Sequence, residues 1–394
     1  MPNRRALTVL MCVAALFCSE IFSHRPRAQQ VGHAPIEVRL SRPPTPTVAL
    51  NRTHLVYELH LTNFGSSAVR LDQLEVLDEK GTVLAGWSGN RLWQRIRVVG
   101  PPVAGATRTD TVAPGQRVIA HLWVTLKPDA SSPAALGHRL TITDGLDERT
   151  TVTTTALPLP AAALPIAPPV RGGPWVAVRG PSNTSGHRLS LVTLDGGTRV
   201  PQRFAVDWTL LGADGLLFRG DQTDVTNWYA YGAPVYAAAP GVVALVRDDS
   251  PDRPAFDAAP PAVMAAADAP GNVVVLDIGE GRFVTYAHLK PGSVRVAKGD
   301  RVVEGQRLAQ IGNSGNTLGP HLHFQVSDAV EPLGGEGVPF TLRSFELLGR
   351  IASQPALLGG GAWAPTSAQP ARAVSGEMPL EDMVVRFKHD ESGR

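Results

Sequence analysis

His321 and His323 stand two apart in the stretch GNSGNTLGPHLHFQV, which runs from Gly312 to Val326. The alternation His321, Leu322, His323, Phe324, Gln325, Val326 has the period of a strand, in which residues two apart share a face. Both imidazoles are therefore expected on one side. Upstream, Asn313, Gly315, Asn316, Gly319 and Pro320 read as a tight loop that delivers the chain into that strand and leaves the histidines at an open rim. Two imidazoles on one strand face suit zinc, which takes nitrogen and carboxylate donors and in catalytic sites keeps a position for water. The competing reading is a pair of surface histidines on a half-buried strand.

A carboxylate is needed to go with them. In RFAVDWTLL, Phe204, Val206, Trp208 and Leu210 fall on one face and Arg203, Ala205, Asp207 and Thr209 on the other, so Asp207 lies on the less apolar side. It could complete a metal site with a histidine of the HLH strand, or be a surface aspartate. His288, in RFVTYAHLK, ends another strand pattern before the Lys290-Pro291-Gly292 turn and would also sit at a rim. A histidine there can donate a proton or a hydrogen bond to a transition state.

The elements that must position these groups are short strands. The 394-residue chain has 39 glycines and 34 prolines, a loop-rich and β-rich composition, and is long enough for two domains. With 37 basic and 35 acidic residues and a net charge of +2, no strong field selects nucleic acid or an acidic partner. Residues 36–156 contain IEVRL, HLVYELHLTNF, AVRLDQLEVLD, RVIAHLWVTL and HRLTITD, punctuated by turn residues. This spacing predicts an antiparallel sandwich of immunoglobulin-like type with a binding or spacer role. Its His54, His60 and His121 are expected to be structural or surface residues. Residues 157–173, LPLPAAALPIAPPVRGG, are rich in Pro and Ala and read as a linker without packing surface. Residues 174–349 again read as short strands, and 350–394 as a poorly ordered tail. The whole chain is expected to be all-β.

Arg4 and Arg5 precede an apolar run from Ala6 to Cys18, too short to span a bilayer and of the size of a signal-peptide core. Residues 1–28 are expected to be a signal peptide, which would place the mature protein in the periplasm or outside the cell with no membrane span. An uncleaved anchor is the alternative. Both cysteines, Cys12 and Cys18, lie in this run, so cleavage would leave no disulfide framework.

The order APVYAAAPGVV, then YAHL, then VAKGDRVVEGQRLAQIGNSGNTLGPHLHF resembles the M23 peptidases, the lysostaphin-like (LytM-type) zinc metallopeptidases that cut peptide cross-links of bacterial cell walls. The likeness is dense from Tyr231 to Val326. It implies an antiparallel β peptidase domain over 174–349, a zinc cofactor and a peptidoglycan peptide as substrate. It also implies that His323 and Asp207 ligate zinc while His321 and His288 assist catalysis. The family's first motif places a further ligand four residues before the aspartate. That position is Arg203 here, and a guanidinium has no lone pair for a metal.

The best replacement is His187, in GPSNTSGHR, twenty residues before Asp207 and opening the pattern RLSLVTL. A hairpin through Leu194, Asp195, Gly196 and Gly197 would fold that strand back on RFAVDW and bring His187 near Asp207. Without it the site would keep two ligands and hold zinc poorly. The expectation is an exported zinc metalloendopeptidase acting on peptidoglycan. The alternative is a degenerate, non-catalytic relative that binds wall or regulates a wall hydrolase. VAKGDRVVEGQRLAQIG also resembles lipoyl or biotinyl domains, but no lysine occupies the turn expected to carry the group.

Overall fold

Strand Arg52–Asn63 shows how the first half is built. Its Leu55, Tyr57, Leu59 and Leu61 alternate into a core shared with Leu71, Leu74 and Val76 of Val69–Leu77 and with Leu140 and Ile142 of Ala135–Thr143. Those side chains come from two antiparallel sheets. One runs Ile36–Leu40, Arg52–Asn63, Arg117–Thr125, Ile96–Val98; the other runs Arg149–Thr153, Ala135–Thr143, Val69–Leu77, Val83–Ser88. The result is a two-sheet sandwich. The structure, a computed structural model, describes residues 34–100, 110–256, 265–368 and 370–388, so the expected signal peptide with Cys12 and Cys18 lies outside the described residues. Among them no helix is long and apolar enough to cross a membrane.

The second face of Arg52–Asn63 is buried too. Val56 belongs to the core of the second half, and Glu58 beside it is 3% exposed. His54, His60 and His121 are all buried. His54 accepts a hydrogen bond from Trp123 Nε1 at 2.9 Å, and its other nitrogen lies 2.9 Å from the Ala49 carbonyl oxygen, a packing role rather than a ligand's.

The second half is organised on a ten-stranded sheet. Its order is Arg301–Val302, Gly241–Arg247, Asn272–Asp277, Phe283–Leu289, Leu322–Ser327, Val206–Leu210, Gly172–Ala177, Met383–Phe387, Phe345–Arg350, Arg372–Val374. Neighbouring strands are antiparallel. One face of the middle strands carries Val206, Trp208, Leu322, Phe324, Val326, Val284 and Tyr286 into a single core. The opposite face is left for the site.

Two expected boundaries are corrected. Residues 350–394 are not a loose tail as far as they are described, because Met383–Phe387 sits inside the sheet, paired with Gly172–Ala177 and with Phe345–Arg350. Met383, Val384, Val385 and Phe387 are buried, and burying such side chains stabilises by roughly 1.5–3 kcal/mol each, which offsets the ordering of the Gly- and Pro-rich approach. Residues 157–173 are not a free linker either. Leu157–Pro158 pairs with the sandwich strand Ala135–Thr143, Leu164–Ile166 pairs with Phe340–Leu342, and Ile166 and Val170 are buried in the second core. Proline and alanine suit such short extended pieces, whose unpaired edge needs no donor.

Candidate metal centre

Asp207 and His323 are direct partners across the antiparallel pair of Val206–Leu210 and Leu322–Ser327. Cross-strand partners approach to about 4.5–5.5 Å at Cβ, and here His323 Nδ1 lies 2.8 Å from Asp207 Oδ1. The next partner in the row is Ala287, whose methyl leaves the space above it open. Asp207, His323 and Ala287 line a cleft of about 450 Å³ that also meets His187, His288 and His321. All five expected site residues are thus brought to one place.

His288 arrives by a route the sequence pattern did not show. Opposite it the register slips, so that Asn272 pairs with Leu289 but Val273 pairs with Ala287, and His288 is the extra residue of a bulge. Its φ is 61°, a left-handed conformation that costs on the order of 1–3 kcal/mol and that histidine tolerates better than most residues. A bulge re-aims a side chain. The position is fixed by its N–H donating to Pro270 O, by its carbonyl accepting from Gly312 N–H at 3.0 Å, and by the 2.8 Å contact of Nδ1 with Ser314 O. The GNSGN loop that supplies Ser314 lies so close to the 269–271 turn that a Cβ on Gly315, which has φ of 80°, would come within 2.5 Å of Ala269 O.

His321 precedes the Leu322–Ser327 strand. Its Nδ1 lies 2.8 Å from Gly319 O, its Nε2 lies 3.5 Å from Asp207 Oδ1, and its ring centroid is 4.8 Å from that of His288.

His187 reaches Asp207, but not by the expected strand. It lies in a one-turn helix, Gly186–Leu189, and the hairpin of Val192–Leu194 with Gly197–Arg199 turns at Asp195 and Gly196 as a separate two-stranded sheet. Its Nε2 is 3.4 Å from Asp207 Oδ2 and its ring stands edge-on to His323 at 4.9 Å. His187, Asp207 and His323 offer donor atoms that all lie within 4.8 Å of one another. Arg203, at the position where a ligand was expected, points elsewhere: its Nη2 is 2.6 Å from Glu58 and 2.9 Å from Glu336.

The hydrogen bonds assign the imidazole nitrogens. Gln325 donates its amide to Pro332 O, which leaves its Oε1 facing His323 Nε2 at 2.9 Å, so Nε2 must carry a proton. His187 Nδ1 likewise faces a carbonyl, Arg179 O, at 3.0 Å and donates to it. Burial lowers His187 to about 4, against the opposing pull of Asp207, so its ring is neutral near pH 7 and its Nε2 lone pair points at Asp207. Burial alone would raise the Asp207 carboxyl, but the neighbouring imidazoles of His187 and His321, with the hydrogen-bond contacts to His321 and His323, hold it well below the usual range.

An anionic carboxylate facing these nitrogens is stable only with a shared cation, a proton or a metal. Two imidazoles with their outer N–H groups tied to oxygen acceptors, plus a carboxylate, are the donors and the supporting bonds of a zinc-type site. The residues fit the ion. Gln325, Gln202 and the Arg179 carbonyl were missed from the sequence. Of these only Gln325 carried a signal, since it continues the His321, His323 alternation on the same face.

Burial, with the charges of His321 and His323, lowers His288 well below its ordinary value, so it is neutral with Nδ1–H on Ser314 O and Nε2 open as an acceptor. For His321 burial acts downward, but Asp207 outweighs it and the net shift is upward. The pair thus combines a base with an acid.

Residues 224–334 match the peptidase family M23. Over 95 residues the chain is 35% identical to the peptidoglycan DD-endopeptidase ShyA of Vibrio cholerae, covering 24% of this chain and 17% of that protein. The peptidoglycan DD-endopeptidase ShyB of the same organism is also 35% identical over 95 residues, 24% of this chain and 18% of that one. The match therefore spans less than a fifth of these relatives' length. The catalytic domain of lysostaphin from Staphylococcus simulans aligns at 19% identity over 41% of this chain and 86% of that chain, with a TM-score of 0.24. A zinc containing peptidase from Vibrio cholerae aligns at 14% over 77% and 84%, with a TM-score of 0.22. His288, His321 and His323 fall inside the matched residues; His187 and Asp207 fall before them.

Proposed function

We propose that this chain, which carries a peptidase family M23 segment over residues 224–334, is an exported zinc metalloendopeptidase that hydrolyses peptide bonds of peptidoglycan. His187, Asp207 and His323 are its metal ligands, and His288 and His321 its catalytic pair. The observation that carries the reading is the convergence of those three donors within 4.8 Å, with the outer nitrogen of each imidazole already bonded to an oxygen. The substrate follows from the family and from relatives named as peptidoglycan DD-endopeptidases. Export rests on the sequence of residues 1–28.

Zinc, when bound, lowers the pKa of water in the site and polarises the scissile carbonyl. His288 is placed to take a proton from the attacking water through its open Nε2. His321, the more basic of the pair, donates to the oxyanion that grows in the transition state and then to the leaving amine. The cleft over Asp207, His323 and Ala287 aligns the extended peptide against both. Arg203, the residue that favoured a non-catalytic relative, is consumed in a buried ion pair with Glu58 and Glu336. It is not a mark of a dead site once His187 stands beside Asp207.

The test is His187→Ala in the full chain. Zinc affinity is expected to fall by more than about 100-fold, since even outer-layer partners are worth 10–100-fold, and hydrolysis of purified peptidoglycan should fall with it at limiting zinc. A variant that binds zinc as tightly as the parent removes His187 from the ligand set. A parent that binds zinc yet cleaves no peptidoglycan peptide returns the non-catalytic reading.

A further inference from the structure

We propose that Glu58, in the sandwich, is a positioning residue of the metal site: through Arg188 it holds His187 against Asp207. The proposal rests on the ligand assignment above.

The proposed ligands are held very unequally. Asp207 and His323 sit on adjacent central strands and are fixed by the ladder itself. His187 sits on a four-residue helix whose N-cap, Ser185, makes no side-chain cap bond. A single helical turn has almost no stability of its own, because nucleation fixes several dihedrals for one hydrogen bond. The Arg179 carbonyl orients the His187 ring. Something else must place the helix.

The next residue does so. Arg188 is 0% exposed and all of its guanidinium nitrogens are used. Nε donates to Glu58 Oε1 at 3.1 Å, Nη2 donates to Tyr57 O at 3.0 Å and Leu122 O at 2.8 Å, and Nη1 donates to Asn183 Oδ1. Glu58, Tyr57 and Leu122 all belong to sandwich strands. The other oxygen of Glu58 receives Nε of Arg203 at 2.7 Å. Arg203 follows Gln202, whose amide nitrogen is 3.5 Å from His323 Nε2. One carboxylate thus anchors the two chain segments that flank the cleft. Without that carboxylate the buried Arg188 guanidinium keeps only the neutral acceptors Tyr57 O, Leu122 O and Asn183 Oδ1, which leave its charge unbalanced, so the helix must shift or open to solvate it, and His187 moves with it.

The experiment measures zinc affinity by chelator competition on the full chain for Glu58→Gln and Arg188→Lys, the latter keeping the charge but not the planar fork. Zinc binding is expected to weaken about 10- to 100-fold in both, while excess zinc restores peptidoglycan hydrolysis toward the parent rate. Leu140→Ala, a cavity in the sandwich core at a residue that makes none of the clamp's hydrogen bonds, should lower the melting temperature yet leave zinc affinity unchanged. If Glu58→Gln fails to fold, Glu58→Gln/Arg188→Gln removes one charge of each sign, leaves Glu336 for Arg203, and should show the same loss. Parent-like zinc affinity in the folded variants overturns the clamp alone. So does an equal loss in Leu140→Ala, which would reduce the effect to general destabilisation. A parent that binds no zinc overturns the ligand assignment, and the clamp with it.

Discussion

Asp207→Asn should all but abolish both zinc binding and hydrolysis. The substitution keeps the shape of the side chain and one oxygen, so the sheet register of Val206–Leu210 on Leu322–Ser327 has no reason to change. The charge is what goes. Asp207 Oδ1 lies 2.8 Å from His323 and 3.5 Å from His321, and Oδ2 lies 3.4 Å from His187, so a single carboxylate faces every imidazole but His288. With an amide there, one ligand's charge is lost and the amide nitrogen is turned toward one of the rings. The expected drop in zinc affinity exceeds the roughly 10–100-fold seen for outer partners, and the rate at limiting zinc should fall by about a thousandfold or more, beyond that for losing one transition-state donor. Isothermal titration with zinc and a peptidoglycan-release assay check this. Retention of parent affinity by a folded Asp207→Asn chain would take Asp207 out of the metal site.

His321→Ala and His288→Ala are expected to separate chemistry from metal binding. Neither residue is in the convergent donor set, and each has its Nδ1 tied to a backbone carbonyl, Gly319 O and Ser314 O respectively. Each should keep one zinc per chain and lose about 10²–10³ in rate for a missing oxyanion donor or up to about 10⁴ for a missing proton acceptor. Because His288 is pushed downward by burial and His321 upward by Asp207, the two variants should lose opposite limbs of the rate profile. His288→Ala should flatten the acid limb and His321→Ala the alkaline limb. Loss of zinc from either variant would move that residue from the catalytic pair to the ligands.

Much of this site could be read in the sequence because its strands have a strict period of two. HLHFQV and RFAVDW each alternate apolar and polar residues, and that parity alone separates His323 and Asp207 from Phe324 and Trp208. What parity cannot give is pairing across long separations. The Arg188–Glu58 contact joins residues 130 apart, and a one-turn helix leaves no periodic trace, so the sequence places His187 in a loop that opens a strand and shows neither the helix nor what anchors it. The bulge at His288 was likewise invisible, since it is a register difference with Asn272 and Val273 rather than a local pattern. Composition misled in two places. Prolines and glycines at 157–173 and 350–374 suggested loose chain, yet Ile166, Val170 and the strand Met383–Phe387 are buried because neighbouring strands supply partners that the segments lack locally. The sandwich showed as strands, but the covering of its second face did not, because a lone acid such as Glu58 amid HLVYELHL reads as solvent-facing until its buried partners are seen.

The most direct test is the zinc content of the purified full chain and its His187→Ala variant after equilibration with zinc and removal of the excess. One zinc per chain in the parent, with loss in His187→Ala and retention in His321→Ala, is the expected result. A parent that retains none, or a His187→Ala chain that still holds one per molecule, contradicts the claim that His187, Asp207 and His323 form the metal site.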